Sequence, residues 1–235
     1  MAGQVLRVKK ITWLVLGAAA LVVSSGFLVR GYFDHSAPPP KSPFAIDSTE
    51  YHAACVYNKH LVDSAVSMLH TGNIVLRMGH GADSKLLSEL NARDKSFSHC
   101  GIVMVENGYP FVYHSIGGED NPDERLRRDS AGFFFSPFNN SAIAIVHFDF
   151  KERDISELRN VVTGFYKARP RFDMKFDLAT DDLLYCSEFV YTALNKAMKD
   201  TGYIAATTLL GHRFVGIDDI FMNDHANIVW RIKFK

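Results

Sequence analysis

Hydrophobic positions along the chain change period several times, and each change predicts an element. The first pattern is continuous: from Ile11 to Val29 about nineteen residues pass without a charge, enough to cross a bilayer. Arg7, Lys9 and Lys10 precede it and hold the N-terminus on the cytoplasmic side. An uncleaved anchor and a cleaved signal peptide compete here. Ser24-Ser25-Gly26 fits a cleavage pattern loosely, but the apolar run continues through Phe27, Leu28 and Val29, which favours the anchor. Four prolines between Ser36 and Pro43 then make a stiff spacer. The expected organisation is an N-terminus and membrane helix at 1–33, a Pro-rich linker at 34–46, and an exported domain at 47–235. The protein is expected as a single-pass inner-membrane protein, with its domain facing the periplasm.

Within that domain the period alternates between helix and strand. Asp47-Ser48-Thr49-Glu50 forms a capping box, with Tyr57, Leu61, Ala65, Met68 and Leu69 on one apolar face, ending at Gly72. Ile74-Val75-Leu76 is a short strand, Met78-Gly79-His80-Gly81 a turn, and Leu86, Leu87 and Leu90 belong to a short helix opened by Asp83 or Ser84. His99–Val105 and Pro110–Ile116 flank Asn107-Gly108, a strong hairpin signal. With Asn107 and Gly108 as the turn, Gly101 faces His114, and His99 lies on the same face one diagonal away, about 7–8 Å by strand geometry. A four-residue loop would set the two histidines opposite, and a three-residue loop would separate them. Residues 117–140 are polar at first and then carry Phe133, Phe134, Phe135 and Phe138. A loop packed down by its own phenylalanines is favoured there over a mobile flap. Residues 142–148 form a strand, and Asp154-Ile155-Ser156-Glu157 caps a helix with Ile155, Leu158, Val162 and Phe165 on one side. Another helix follows from Cys186 to about Asp200, with Asp181 and Asp182 as candidate caps and Val190, Leu194 and Ala197 below. Ile228, Trp230, Ile232 and Phe234 alternate in a last strand with one buried face. The class is α+β: helices on a mainly antiparallel sheet.

Charge changes this picture little. Lys+Arg and Asp+Glu are both 26, so nothing points to nucleic acid. Cys55, Cys100 and Cys186 are too few and scattered for a disulfide scaffold or zinc ribbon, and a Cys55–Cys100 bond has only an oxidising compartment to recommend it. The position of Cys186 matters more. A thiol at a helix N-terminus meets the positive end of the helix dipole, which favours the nucleophilic thiolate. Such a nucleophile needs a base and a group to orient that base, roles open to His99 and His114. Against this, buried cysteine is commonly inert, and Asp182 and Glu188 would raise a thiol pKa. Cys100 is the rival nucleophile but points into the core by alternation. His80, His99, Cys100 and His114 are ligand types without a metal-site spacing, so no metal or other cofactor is expected. His60, His70, His147, His212 and His225 are read as surface or satisfied residues.

Three blocks carry a resemblance: Gly72-Asn73-Ile74-Val75-Leu76-Arg77, Ser98-His99-Cys100-Gly101-Ile102-Val103, and Phe176-Asp177-Leu178 leading to Tyr185-Cys186-Ser187-Glu188. In that order they resemble the permuted NlpC-type papain-like cysteine hydrolases, the YiiX/YebB-like group. The order of His block before Cys block is shared with lecithin-retinol-acyltransferase-like proteins. The resemblance spans about residues 72 to 192 and implies a circularly permuted papain-like fold. It also implies Cys186 as nucleophile, His99 as base and His114 as the third polar residue. His114 departs from the Glu common in the group and matches the acyltransferase-like relatives. Asn73 replaces the usual Asp, a change expected to affect a turn more than chemistry. Ser187 and Glu188 are expected to shape the helix start. The implied activity is amide or peptide hydrolysis through a thioester; the exported compartment alone suggests cell-wall peptide as substrate. Acyl transfer or lipid hydrolysis, and an inactive binding module, are the alternatives.

Overall fold

The computed structural model describes residues 48–118, 121–178, 180 and 182–235. The expected membrane helix, the linker and Asp47 lie outside these residues, as does Asp181. Among the described residues no helix is long and apolar enough to cross a membrane. The described residues from Ser48 to Lys235 form one compact unit.

Its elements are α1 (Ser48–Ser67), β1 (Ile74–Gly79), α2 (Ala82–Ser88), β2 (His99–Glu106), β3 (Tyr109–His114), β4 (Arg127–Ser130), α3 (Ala131–Phe134), β5 (Asn140–Phe148), α4 (Glu152–Ala168), α5 (Cys186–Met198), β6 (Thr207–Leu209), β7 (His212–Phe214), α6 (Ile217–Phe221) and β8 (Ala226–Lys233). Six strands make a sheet in the order β4-β3-β2-β1-β5-β8, each neighbouring pair antiparallel. The architecture is thus α+β, an antiparallel sheet between helices.

The sheet has two buried faces, because successive side chains of a strand alternate. Ile74, Leu76, Cys100, Ile102, Met104, Ala144 and Val146 point to one face, where Leu158 and Val162 of α4 and Phe189, Val190 and Leu194 of α5 cover them. Val75, Val103, Val112, Ile143 and Ile145 point to the other, under Val62 and Ala65 of α1 and Phe134 of α3. We call these the core face and the relay face, for reasons given below.

Several expected boundaries move. The buried stripe of α1 runs through Asn58, Val62 and Ala65, then Leu69 just beyond it, while Tyr57 is 46% exposed. The Asn58 amide secures this rotation by bonding the Lys235 backbone at both its N–H and C=O. Met78 and Gly79 extend β1 instead of turning, since β5 keeps pairing with them through a register shift. Gly81, not Asp83 or Ser84, caps α2, and Leu86 on it is exposed. Helix α4 starts at Glu152; Asp154 sits in its first turn, its carboxylate accepting the Lys151 N–H at 3.0 Å. A bulge opposite β5 sends Ile228 to the core face while Trp230 and Ile232 stay on the relay face, so β8 does not bury one side alone. The stretch 117–140 is more than a packed loop: it supplies β4 and α3, with Phe134 and Phe135 buried and Phe133 and Phe138 exposed.

Candidate active site

The site begins with the hairpin. Asn107 and Gly108 both take positive φ, 50° and 84°, the two-residue turn that matches strand twist. Glu106 therefore pairs with Tyr109 and Ile102 with Tyr113, and the same register continued sets Gly101 beside His114. A Cβ on Gly101 would lie 2.8 Å from the Tyr113 carbonyl oxygen and 3.0 Å from His114 Cβ, so only glycine leaves room for that histidine. His99 then reaches diagonally across: its Nε2 lies 2.9 Å from His114 Nδ1. Both rings are buried, 8% and 1% exposed, and Phe134 packs against each with centroids 5.7 and 5.2 Å away.

The next strand adds a residue that sequence reasoning missed. In β4, Arg127 pairs with His114 and Asp129 with Val112, which puts Asp129 one diagonal beyond His114 on the relay face. Its Oδ2 lies 3.0 Å from His114 Nε2, and Arg127 donates to its Oδ1 at 2.8 Å. Strand β4 is four polar residues at a sheet edge, with no hydrophobic alternation to betray it. The available signal was chemical: a buried histidine whose one nitrogen faces another histidine wants a partner for the second.

Protonation follows from these contacts. Burial, aided by the nearby Arg77, His114 and Arg127 charges, pushes the His99 pKa well below the ordinary imidazole range. Burial also lowers that of His114, outweighing the pull of Asp129. Burial works to raise the Asp129 pKa, but hydrogen bonds from His114 and Arg127 win and hold it below its usual value. Asp129 is therefore an anion and can only accept, so His114 Nε2 carries its proton. Neutral His114 then accepts at Nδ1, and His99 Nε2 carries the proton between the rings. This leaves His99 Nδ1 bare, a lone pair with no hydrogen-bond partner among the described residues. The relay fixes the tautomer that a general base needs.

Cys186 approaches from the core face as the first residue of α5. Tyr185, rather than Asp182, occupies the cap position. Its neighbours hold the helix start from three sides. The Glu188 carboxylate accepts the Tyr185 N–H at 3.2 Å, Ser187 Oγ donates to the Val215 carbonyl at 2.8 Å, and Ser115 Oγ donates to the Leu184 carbonyl. Asn73 likewise shapes a turn, accepting the His70 N–H at 2.7 Å. The Cys186 thiol pKa is lowered first by a hydrogen bond from the Cys100 thiol. Burial opposes this, and the N–H groups of Cys100 and Ser187 add to it.

The Cys100 N–H is free for this bond because β3 leaves early. On β2 the odd-numbered N–H groups turn toward β1, as Val103 N–H to the Asn73 carbonyl shows, so the even-numbered ones turn toward β3. The β2–β3 pairing stops at Ile102 and Tyr113, one pair before Cys100. The Cys100 N–H at that end of the seam thus helps to hold the Cys186 thiol pKa down.

The structure therefore brings His99 and His114 into direct contact, and brings Cys186 to the backbone of the residue next to His99. Among the described residues no hydrogen bond joins the sulfur to either imidazole. Cys55, Cys100 and Cys186 are all free thiols. His80 is exposed, its Nε2 3.2 Å from the Pro137 carbonyl. Beyond Asp129 the sheet edge opens into a polar cavity of about 290 Å³ lined by Arg125, Arg127, Arg128 and Arg169 with Asp123 and Asp129. A second, of about 430 Å³, shares Arg125 and Arg169 and extends to Asp182 and Leu183, just ahead of the cysteine.

No family model matches the chain, and no curated protein matches it. Among solved structures it is similar to the crystal structure of metalloprotein YiiX from Escherichia coli O157:H7, with a TM-score of 0.57 and 15% identity, covering 70% of this chain and 98% of that one. The fold is YiiX-like. Among the described residues no group of three His, Cys, Asp or Glu side chains is arranged for an ion. His99 Nε2, both His114 nitrogens and Asp129 Oδ2 are engaged with one another, and Asp129 Oδ1 with Arg127.

Proposed function

We propose that this protein is a cysteine hydrolase that cleaves an amide through a thioester on Cys186. The observation carrying this reading is the Asp129–His114–His99 relay, which ends in a bare Nδ1 on the residue whose neighbour grips the Cys186 sulfur. His99 Nδ1 takes the thiol proton as sulfur attacks the acyl carbon, and later returns a proton to the leaving amine. This step requires sulfur and Nδ1 to meet at the open end of the β2–β3 seam. His114 holds the His99 ring in place, and Asp129 holds His114; both are positioning residues. The Cys186 N–H, at the first position of α5, would receive the oxyanion.

The substrate reading is a peptide of the cell wall, with the chain tethered by its N-terminal segment and the domain in the periplasm. The cavities suit a substrate with an anionic group. The Arg125 guanidinium is partly buried, lines both, and has no carboxylate partner among the described residues, bonding instead to the Arg169 carbonyl at 2.6 Å. An acyltransferase or lipid hydrolase is the second reading, favoured by a histidine at 114.

The test is labelling of the full-length protein in detergent with an acyl-electrophile thiol probe. Labelling of wild type and none of Cys186→Ala is expected. Label retained by Cys186→Ala ends the nucleophile assignment. Incubation with muropeptides and with phospholipids, side by side, separates the two substrate readings.

A further inference from the structure

Among the described residues, Cys100 is a buried free thiol on the core face that the hydrolytic reading leaves unused. Packing alone would accept valine or alanine on the core face of β2. Two features make it more than filler. It is buried with Cys186 in the same core cluster, where each thiol perturbs the titration of the other. The register is what brings them together: Cys100 projects to the core face at the point where β3 has departed and α5 begins.

We propose that Cys100 and Cys186 form a reversible disulfide on exposure to hydroperoxide, so that Cys100 is the resolving thiol that guards Cys186. The Cys186 thiolate attacks one peroxide oxygen, the O–O bond breaks, and hydroxide or alkoxide leaves, giving a sulfenic acid on Cys186. The Cys100 sulfur then attacks the Cys186 sulfur, and the S–O bond breaks. The departing hydroxide takes the Cys100 proton and leaves as water. Two thiols and one hydroperoxide yield one disulfide, one alcohol or water from the peroxide, and one further water. A dithiol reverses the state by exchange.

The roles are not interchangeable. Burial pushes the Cys100 thiol well up, and its hydrogen bond to Cys186 adds to this, so Cys186 reacts first. The two sulfurs share the core face, and the bond would bring them to about 2 Å. Cys55 lies on α1, across the sheet from the core face, and is not positioned to resolve the sulfenic acid.

The proposal depends on the Cys186 thiolate and not on the hydrolase reading. The test uses full-length protein treated with equimolar hydrogen peroxide, alkylated under denaturing conditions and mapped by mass spectrometry. Wild type is expected to give a peptide pair linking Cys100 to Cys186, with dithiothreitol restoring both thiols. Cys100→Ser keeps a hydroxyl donor but cannot link; it is expected to yield a dimedone-trappable sulfenic acid, then sulfinic acid that dithiothreitol does not reverse. Wild-type Cys186 passing to sulfinic acid without the linked pair overturns the proposal, as does a link to Cys55. The wild-type map decides this even if Cys100→Ser folds poorly. A protein that forms the link yet cleaves no substrate keeps this inference and loses the hydrolase.

Discussion

The two faces of the one sheet are built on opposite principles. The core face holds aliphatic and aromatic side chains under α4 and α5, and its few polar atoms are thiols and capping groups. The relay face hides two histidines and a carboxylate under Phe134, and each finds a partner on the adjacent strand. A core of the first kind gains stability from area removed from water. The second kind gains little, because a buried polar group must first recover its desolvation. Its value is orientation: a neutral imidazole with one nitrogen pinned and the other bare. Cys186 belongs to the first face and the two histidines to the second.

Substitutions should separate the faces. The largest expected effect is chemical: Cys186→Ala should lower acyl turnover by about 10⁴-fold or more while the melting temperature barely moves. Leu158→Ala, deep in the core face, should cost about 3 kcal/mol in denaturant unfolding, with kcat per folded molecule retained. Loss of kcat without loss of stability in that variant would mean the faces are not independent. Asp129→Asn should cut kcat/KM by about 10²-fold, because an amide can donate to His114 and reverse the relay, putting a proton on His99 Nδ1. A pH–rate profile distinguishes this from a packing defect, since the alkaline and acid limbs should shift rather than scale. Gly101→Ala should destabilise by about 2 kcal/mol, since its methyl meets the Tyr113 carbonyl and His114.

The smallest effect is on pH. His99 and His114 have folded-state pKa values below the ordinary 6.5. The unfolded chain therefore binds the extra protons as pH falls through 6.5, and stability declines below that point. Asp129, with its lowered pKa, contributes stability above its ordinary 3.8 that is lost only in stronger acid. The melting temperature should thus drop between pH 7 and pH 5, and His114→Gln should flatten that slope. An unchanged slope in this variant would show that the relay face does not carry the acid sensitivity.

How much of this was legible depends on how local each feature is. Asn107-Gly108 specified the turn type, and the turn type specified the register that joins His99 to His114. The start of α5 at Cys186 was also legible, because Val190, Leu194 and Ala197 follow at helical spacing and are buried. Tyr57 misled because an aromatic at the right spacing looks like core, whereas the Asn58 contact with the C-terminus turns the helix the other way. Asp129 was not legible, since an edge strand of Arg, Arg, Asp and Ser has the pattern of a loop.

What the sequence by itself determined was the set of elements whose patterns repeat within a dozen residues: the hairpin and the amphipathic helices α4 and α5. Only the tertiary structure decided that β4 docks beside β3, that β3 parts from β2 before Cys100, and that Cys186 is buried with Cys100 on the core face. Periodicity arises from neighbours along the chain. Docking and divergence arise from pairings between segments far apart, whose free energy is set by packing that no short stretch contains.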